Sequence, residues 1–374
     1  MDEIISLRPA AADPFVSTLE AIDELRRGRT IVVVDDEDRE NEGDLTIAAE
    51  HVTAATINFM TAYGRGLVCL ALTGERCDEL GLAQMCRQNT SRFGTAFCES
   101  IDAVDGTTTG VSCEDRARTI QQTVNPDCRP SDLARPGHIF PLRARSGGAL
   151  ARQGQTEASV DLARLAGLRP AGVICEIMNH DGTMARVPDL REFCVRHHIV
   201  MTSVAQLVRY RLGTECVVRK ASESRIETEF GPFRAVSYRS AINDDVHVAL
   251  VRGNPADGSR VLARVQSRCT LGDSLGAIGC ECRKSIRLSL QRIAAEDLGV
   301  LVYLQEASNG WHCGGDSEAR SAQSRLPDYE SLIASQILSD LGLRTVLQMT
   351  GGTASTTLLE SSGIHIAGQV RLEF

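Results

Sequence analysis

Short apolar runs rich in β-branched residues alternate along this chain with segments of helical periodicity, and this alternation constrains the fold more than any other feature. The runs TIVVV, GLVCLAL and AGVICEIM each have the length of a buried strand. Helical patterns follow in VDLARLAGL and in SVAQLVRYRLG, where Ser203 is a capping residue. The first helix pattern places Val16, Leu19, Ile22 and Leu25 on one face, and Gly28 ends it. The sequence therefore predicts a mixed α/β (α+β) fold.

The length of 374 residues exceeds what one hydrophobic core usually supports, so two domains are expected. Residues 213–224 show no clear periodicity and are interpreted as a linker between a domain at 1–212 and a domain at 225–374. Beyond the linker, strand patterns (VHVALV, VLARV, VLVYLQ, TVLQM) again alternate with helical ones. The second domain is predicted to be α/β as well.

Composition excludes several classes of partner. Forty Lys and Arg against 49 Asp and Glu give a net charge of −9, which argues against nucleic acid or an anionic membrane as the main partner. The opening MDEIISLRPAAADPF lacks the apolar core of a signal peptide, so a cytoplasmic protein is expected. Thirteen cysteines, an odd number spread over a long chain, indicate mostly reduced thiols.

The segment DDEDRENEGD at 35–44 contains seven acids in ten residues and lies between two apolar strands. One interpretation is a solvated surface turn, which is what most charge runs are. The other is a metal site, because crowded carboxylates recruit a hard cation and ligands commonly bind at sheet ends. Arg39 within this segment could hold a carboxylate or a phosphate, and Gly43 permits a close approach of the backbone.

Cys269, Cys280 and Cys282 form a second candidate metal site. Scattered thiols usually pack in a core, but three thiolates and a water suit a Zn²⁺ ion with one open position. The spacing leaves both interpretations open.

The segment DDEDRENEGD resembles the signature loop of 3,4-dihydroxy-2-butanone 4-phosphate synthase. The similarity continues in family order through GRGLVCLALT, NTSRFGTAF, DGTTTGVS, PSDLARPGHIFPLRAR, TEASVDLARLAGL and PAGVICEIMNHDGTMAR. It spans nearly all of residues 10–212. The resemblance implies a Mg²⁺- or Mn²⁺-dependent lyase that converts ribulose 5-phosphate to 3,4-dihydroxy-2-butanone 4-phosphate and formate, in a site between the two subunits of a homodimer.

The resemblance also implies roles for single residues. Glu40 matches the metal-ligating carboxylate, and Arg39 and Asp44 match substrate contacts. Arg152 and Thr156 match the stretch that grips the sugar phosphate. His138 and Glu176 match the pair regarded as essential for proton transfer, and Glu176 is also a substrate contact. An enediol intermediate needs groups that take and return protons near neutral pH, which suits these two types of residue.

The chain departs from the family at Gln155. The family reads Gly-His-Thr-Glu where this chain reads Gly154-Gln155-Thr156-Glu157, and that histidine is the second protein ligand of the metal. Glutamine offers an amide oxygen that Mg²⁺ accepts, but it is no proton carrier. Gln155 is therefore a candidate metal ligand and substrate contact at an altered site.

The stretch ARVQSRCTLGDSLGAIGCEC resembles the zinc segment of GTP cyclohydrolase II, with Cys269, Cys280 and Cys282 at the family's spacing. The catalytic segments differ: LQEASNGW stands at 304–311, Arg325 and Pro327 fall where the family has aspartate and arginine, and Thr350-Gly351-Gly352-Thr353 replaces a TNNP motif. Proline supplies neither a nucleophile nor a phosphate donor, so this domain is expected to bind zinc without hydrolysing GTP.

The leading hypothesis is thus a riboflavin-type lyase acting on a small-molecule sugar phosphate. The alternative is a non-catalytic or repurposed paralogue that binds sugar phosphate or nucleotide, favoured by the departures in both domains. Turnover distinguishes the two.

Overall fold

The computed structural model describes residues 14–243, 245–258, 260–278, 280–305, 329–351 and 363–373. The chain forms two compact units, Met1–Arg211 and Leu212–Phe374. Each contains one seven-stranded sheet. The mixed α/β architecture predicted from the alternation of strand and helix patterns is confirmed.

The first unit contains the strands β1 to β7 and the helices α1 to α7, the last of which extends three residues past the unit boundary. The strands are Ile31–Val34, Gly43–Ala48, Cys69–Leu72, Ile101–Ala103, Leu133–Arg143, Ala171–Glu176 and Met201–Ser203. The helices are Thr18–Arg26, Ala54–Phe59, Gly74–Glu79, Cys113–Val124, Gln155–Leu165, Val187–His197 and Val204–Thr214.

The sheet of the first unit is mixed and runs β4-β5-β3-β6-β2-β1-β7. β1 and β2 pair antiparallel with Val34 opposite Gly43, so the acidic segment is the connection of a hairpin. β2 then pairs antiparallel with β6, which places Asp44 opposite Glu176. The hairpin thus brings the acidic segment to the end of β6.

Helices cover both faces of this sheet. On one face Leu45, Leu70 and Val173 pack with residues of α2, α4 and α6 in a single large core. On the other face Ala71 packs with Val160 of α5. Successive strand residues point to opposite faces, which explains why the central strands read as continuous apolar runs.

The first helix is only partly as predicted. Ser17 caps α1 through its hydroxyl, and the chain turns at Gly28 with a φ of +73°. The buried face is formed by Thr18, Ala21, Ile22 and Leu25. The prediction that Leu19 lies on the buried face is wrong. This residue is 57% exposed, and its neighbour Thr18 lies on that face instead.

The second unit has a mixed sheet in the order β14-β13-β11-β12-β10-β9-β8. The strands β8 to β14 are Val218–Thr228, Gly231–Ser240, Val246–Arg252, Val261–Ser267, Gly299–Leu304, Thr345–Thr350 and His365–Arg371. The helices α8 and α9 are Cys282–Glu296 and Tyr329–Asp340. Leu290 and Ile293 of α8 pack on the sheet with Phe233, and the hydroxyl of Tyr238 donates to Asp340 of α9.

The linker interpretation of residues 213–224 does not match the structure. α7 continues to Thr214, only three residues separate it from β8, and β8 begins at Val218. β8 is an edge strand whose residues 219–225 are all exposed, so neither face produces the apolar alternation that marks a strand in sequence.

Across the part of the chain that the structure describes, no helix is both long enough and apolar enough to cross a bilayer.

Candidate active site at the acidic hairpin

The side chain of Asp35 organises the acidic hairpin connection. It is fully buried, and its two oxygens accept hydrogen bonds from the backbone N–H groups of Glu40 (3.1 Å) and Glu42 (2.9 Å). It also forms a 2.6 Å ion pair with Nη1 of Arg39. Residues 36–38 are exposed, as in a solvated turn, but a solvated turn does not bury a carboxylate such as that of Asp35, so the surface-turn interpretation fails at this residue.

Arg39 connects the hairpin to α5. Nη2 donates to Oε1 of Glu40 at 3.0 Å, and Nη1 donates to Oε1 of Gln155 at 2.9 Å. Gln155 is the first residue of α5 and donates through Nε2 to the carbonyl of Glu42 at 3.3 Å. Arg39 therefore holds carboxylates in a fixed geometry, which is one of the two roles predicted for it.

Asp44 and Glu176 face each other across β2 and β6. Asp44 is 4% exposed. Burial, and next the neighbouring carboxylate of Glu176, raise the pKa of Asp44 well above its ordinary range. Burial and the carboxylate of Glu40 likewise raise the pKa of Glu42. Carboxylates are therefore crowded at this end of the sheet, and the crowding disfavours the ionised form of Asp44.

A close contact with the backbone just before β3 fixes Glu176. The N–H of Leu67 donates to Oε2 of Glu176 at 2.8 Å, and the N–H of Gly66 donates to the Glu176 carbonyl at 3.2 Å. A Cβ atom on Gly66 would lie 2.5 Å from Oε2 and 2.6 Å from that carbonyl oxygen. Only glycine leaves room for this carboxylate.

The loop before α5 presents a cation beside the helix N-terminus. Arg152 forms a 2.7 Å ion pair with the buried Glu157, and it donates to the carbonyl of Phe93 at 3.1 Å. Thr156, the second residue of α5, is 6% exposed. The N–H groups at a helix N-terminus and a nearby guanidinium suit a phosphate group.

His138 lies on β5 and is held by a carboxylate from the neighbouring strand. Its Nδ1 is 2.8 Å from Oδ2 of Asp102, and its backbone N–H donates to Oδ1 of the same carboxylate at 2.9 Å. A Cβ atom on Gly110 would lie 2.1 Å from Oδ2 of Asp102 and 2.6 Å from Nδ1 of His138. The carboxylate fixes the imidazole and leaves Nε2 available to a ligand.

Strand register places His138 at the same end of the sheet as Glu176. Cys69 of β3 pairs with Phe140 of the parallel β5 and with Ile174 of the antiparallel β6. Moving two residues along each partner strand, in the direction of the start of β3, leads to His138 on β5 and to Glu176 on β6. Neighbouring strands lie about 4.8 Å apart, so with β3 between them the β5 and β6 backbones are about 10 Å apart at this end of the sheet.

The predicted residues of the first unit thus form one connected group and one neighbour. Hydrogen bonds link Arg39 with Glu40 and Gln155, strand pairing places Asp44 opposite Glu176, and the carboxylates of Glu40 and Glu176 both raise the pKa of Asp44. Arg152 and Thr156 lie before and on α5. His138 contacts Asp102, at the same end of the sheet. Sequence reasoning missed Asp35, Asp102 and Glu157. Asp35 was visible as the first acid after β1, but nothing in the sequence links Asp102 to His138.

The donor set fits a divalent cation of the Mg²⁺ type. Glu40 is partly exposed, and its carboxylate and that of Glu176 both act on the buried Asp44, so carboxylates are crowded there. Among the described residues, only the cysteine trio has three ligand atoms within 4.8 Å of one another. The acidic end therefore offers one or two carboxylates with room for water and substrate oxygens, which is the usual Mg²⁺ environment.

The second unit brings its three predicted cysteines together. The sulfur atoms of Cys269, Cys280 and Cys282 all lie within 4.8 Å of one another, and Cys269 and Cys280 are 3.6 Å apart. The N–H of Gly272 donates to Sγ of Cys269, and a Cβ atom at this glycine would lie 2.2 Å from Sγ of Cys280. The trio has the composition of a thiolate metal site. The substituted segments at 306–311, Arg325, Pro327 and 352–353 lie outside the described residues.

The first unit combines a seven-stranded mixed sheet with an acidic hairpin, an Asp–His pair and the N-terminus of α5, and a second α/β unit follows it. The sequence profile of 3,4-dihydroxy-2-butanone 4-phosphate synthase matches residues 19–210, and that of GTP cyclohydrolase II matches residues 218–371.

The chain is 45% identical over 377 residues to the riboflavin biosynthesis protein RibBA of Aquifex aeolicus (strain VF5), covering 96% of this chain and 93% of the relative. The crystal structure of RibBX, a two-domain 3,4-dihydroxy-2-butanone 4-phosphate synthase from A. baumannii, superposes with a TM-score of 0.75 at 38% identity, covering 95% and 99%. A synthase solved with two magnesium ions gives a TM-score of 0.52 at 40% identity, covering 54% and 98%.

The chain belongs to the 3,4-dihydroxy-2-butanone 4-phosphate synthase family, in the two-domain riboflavin-biosynthesis form that also carries a GTP cyclohydrolase II domain.

Proposed function

We propose that the first unit converts ribulose 5-phosphate to 3,4-dihydroxy-2-butanone 4-phosphate and formate in riboflavin biosynthesis. The observation that carries the proposal is the set of carboxylates anchored by Asp35 and Arg39, which lies at the same sheet end as the His138–Asp102 pair. The substrate carbons and oxygens divide between the two products without a co-reactant. The site therefore needs to bind and orient the substrate, move its protons and polarise its oxygens while the carbon skeleton rearranges and one carbon leaves as formate.

Substrate orientation falls to cationic and helix-terminal groups. The phosphate binds at the start of α5, where Arg152 and the N–H groups of the first turn face it. The sugar hydroxyls contact Asp44 and Glu176, whose carboxylates lie side by side. Glu157 holds Arg152 in place through a 2.7 Å ion pair.

Proton movement falls to His138 and Glu176. Asp102 accepts a hydrogen bond from Nδ1–H of His138, so the unprotonated Nε2 takes a proton from a carbon-bound or hydroxyl position of the sugar and later returns it. Glu176, held by the Leu67 N–H, exchanges the second proton. Two proton carriers about 10 Å apart at the backbone can act on opposite ends of one ketose.

Glu40, with Glu42 and the Asp44–Glu176 pair beside it, would hold Mg²⁺ or Mn²⁺. When bound, the cation would polarise the substrate oxygens and acidify their neighbouring protons.

The test is a formate assay with purified protein, ribulose 5-phosphate and Mg²⁺ or Mn²⁺, run in parallel with GTP. The proposal expects formate from the sugar phosphate in a metal-dependent reaction. Tight binding of ribulose 5-phosphate without any formate would instead support the second candidate, a non-catalytic or repurposed paralogue. The observation that favours that candidate is Gln155 at the position where the family has histidine.

We also propose that the second unit binds Zn²⁺ through Cys269, Cys280 and Cys282 and does not hydrolyse GTP. The close trio of thiols supports the zinc site. The substitutions at Arg325 and Pro327 support the loss of hydrolysis, because neither side chain restores the missing aspartate or arginine. In the GTP arm of the assay we expect no formate.

Finally, we propose a cytoplasmic homodimer with the active site between subunits, as the family resemblance implies. Sedimentation of the purified chain tests the dimer: a mass of a single chain at micromolar concentration would contradict it.

A further inference from the structure

Gln155 uses both ends of its amide within the protein. Oε1 accepts from Nη1 of Arg39 at 2.9 Å, Nε2 donates to the carbonyl of Glu42 at 3.3 Å, and the residue is 4% exposed. The side chain therefore bridges two points of the acidic hairpin from the first turn of α5.

These contacts close a ring of hydrogen bonds. Asp35 accepts from Arg39 through one oxygen and from the Glu42 N–H through the other. Arg39 donates to Gln155, and Gln155 donates to the carbonyl of the same Glu42. The ring ties both arms of the hairpin to each other and to α5, and Nη2 of Arg39 then orients the carboxylate of Glu40.

We propose that Gln155 is a positioning residue that latches the acidic hairpin to α5, and that it is not a ligand of the divalent cation. The inference rests on the proposed function only for the identity of the cation site. The latch itself consists only of hydrogen bonds between protein groups.

Two charges argue against a cation on the Gln155 oxygen. The guanidinium of Arg39 already occupies one side of that oxygen at hydrogen-bonding distance, so a divalent cation there would face a like charge. Gln155 also begins α5, and the positive end of a helix dipole favours anions. Water can take the ligand position instead, because Mg²⁺ and Mn²⁺ sites normally retain several waters.

The first test is hydrogen–deuterium exchange in the presence of a chelator, comparing wild type with Gln155→Ala. We expect the peptide that covers residues 36–42 to exchange about fivefold faster in the variant, which corresponds to one lost net hydrogen bond. The matched control is Gln121→Ala on α4. This change likewise removes a side-chain amide that donates to a backbone carbonyl, in this case the carbonyl of Val52. It should leave residues 36–42 unchanged.

The second test counts waters on Mn²⁺ by water-proton relaxation at saturating metal. If Gln155 is a latch only, Gln155→Ala and wild type give the same relaxation per bound Mn²⁺. If Gln155 is a ligand, its removal admits one more water and relaxation increases. The proposal requires faster exchange together with unchanged relaxation, and every other combination overturns it.

Arg39→Lys breaks the ring from its other side and guards against a general loss of folding in Gln155→Ala. It should accelerate exchange in the same peptide, and the double variant should show less than the sum of the two single effects, because both changes remove the Arg39–Gln155 hydrogen bond. A wild type that releases no formate would refute the lyase proposal, while the exchange measured in chelator would still decide the latch.

Discussion

Asp44 is a buried carboxylate surrounded by four others, those of Glu176, Glu40, Asp35 and Glu42. Because the folded protein holds the Asp44 proton to a higher pH than the unfolded chain does, stability falls as pH rises from the ordinary aspartate range through the raised pKa of Asp44. Above that pKa the full loss has occurred. A neutral amide at this position would not titrate, so the stability cost belongs to the ionised carboxylate.

We therefore predict that Asp44→Asn is more stable than wild type at neutral pH in chelator, because the amide carries no charge to bury. The gain should shrink as pH falls toward the ordinary aspartate range. Thermal unfolding between about pH 5 and about pH 8 measures it. Activity should be lost in the variant, and a variant less stable than wild type throughout would contradict the assignment.

Asp102 supports a second prediction about a single residue. Asp102→Asn no longer fixes the Nδ1–H form of His138, so turnover should fall by about a hundredfold or more, the usual share of general acid–base catalysis. The KM for ribulose 5-phosphate should change little, because Asp102 contacts the imidazole and not the proposed phosphate site. His138→Gln is the reference for complete loss. Equal turnover in Asp102→Asn and wild type would remove the pair from the mechanism.

Sequence identified most of the site residues because their motifs are contiguous. Glu40, Arg39 and Asp44 share one hairpin connection, and Arg152, Gln155 and Thr156 lie within five positions. Asp102 was missed because it meets His138 only through the pairing of β4 with β5, 36 residues apart in sequence. The contact of Gln155 with Arg39 is not predictable from sequence for the same reason, since only the packing of α5 against the hairpin brings the two side chains together.

Among the secondary-structure elements, Gly66, three residues before β3, lies directly against Glu176 at the end of β6. Gly66→Ala would place a Cβ atom 2.5 Å from Oε2 of Glu176 and 2.6 Å from its carbonyl oxygen. We predict a loss of stability of about 1–3 kcal/mol and a loss of turnover, because Glu176 must move.

Gly213→Ala on α7 is the matched control, since nothing lies within 4 Å of the added Cβ atom there. It should be neutral or slightly stabilising. Chemical denaturation and steady-state turnover of both variants measure the difference. Normal turnover in Gly66→Ala would show that the position of Glu176 is not critical.

Elements were predictable where one face is buried and much less so where both are exposed. The central strands β1, β3 and β6 and the helix α5 were found because burial gives them apolar runs or helical periodicity. Residues 218–224 of β8 fall within the predicted linker at 213–224 because their polar side chains do not alternate with apolar ones. In α1, Thr18 and Ala21 belong to the buried face, but their side chains give a weaker apolar signal in the sequence than the exposed Leu19 does.

For the whole molecule, we expect the carboxylates of the first unit and the cysteine trio of the second to bind different metals. We predict that the purified chain contains about one Zn²⁺ per protomer, and that Cys280→Ser removes it. Formate release from ribulose 5-phosphate should persist in that variant because the carboxylate site belongs to the first unit. Elemental analysis measures the zinc, and zinc retained after loss of Cys280 would contradict the trio as its ligands.

If the acidic end of the first sheet rearranges ribulose 5-phosphate, the reaction can be followed by ¹³C NMR of the uniformly labelled sugar phosphate mixed with the full chain and Mg²⁺. We expect a growing formate signal together with one four-carbon phosphate product, and neither signal with Glu40→Gln or with chelator. An unchanged ribulose 5-phosphate spectrum, at a protein concentration comparable to that of the substrate, would contradict it.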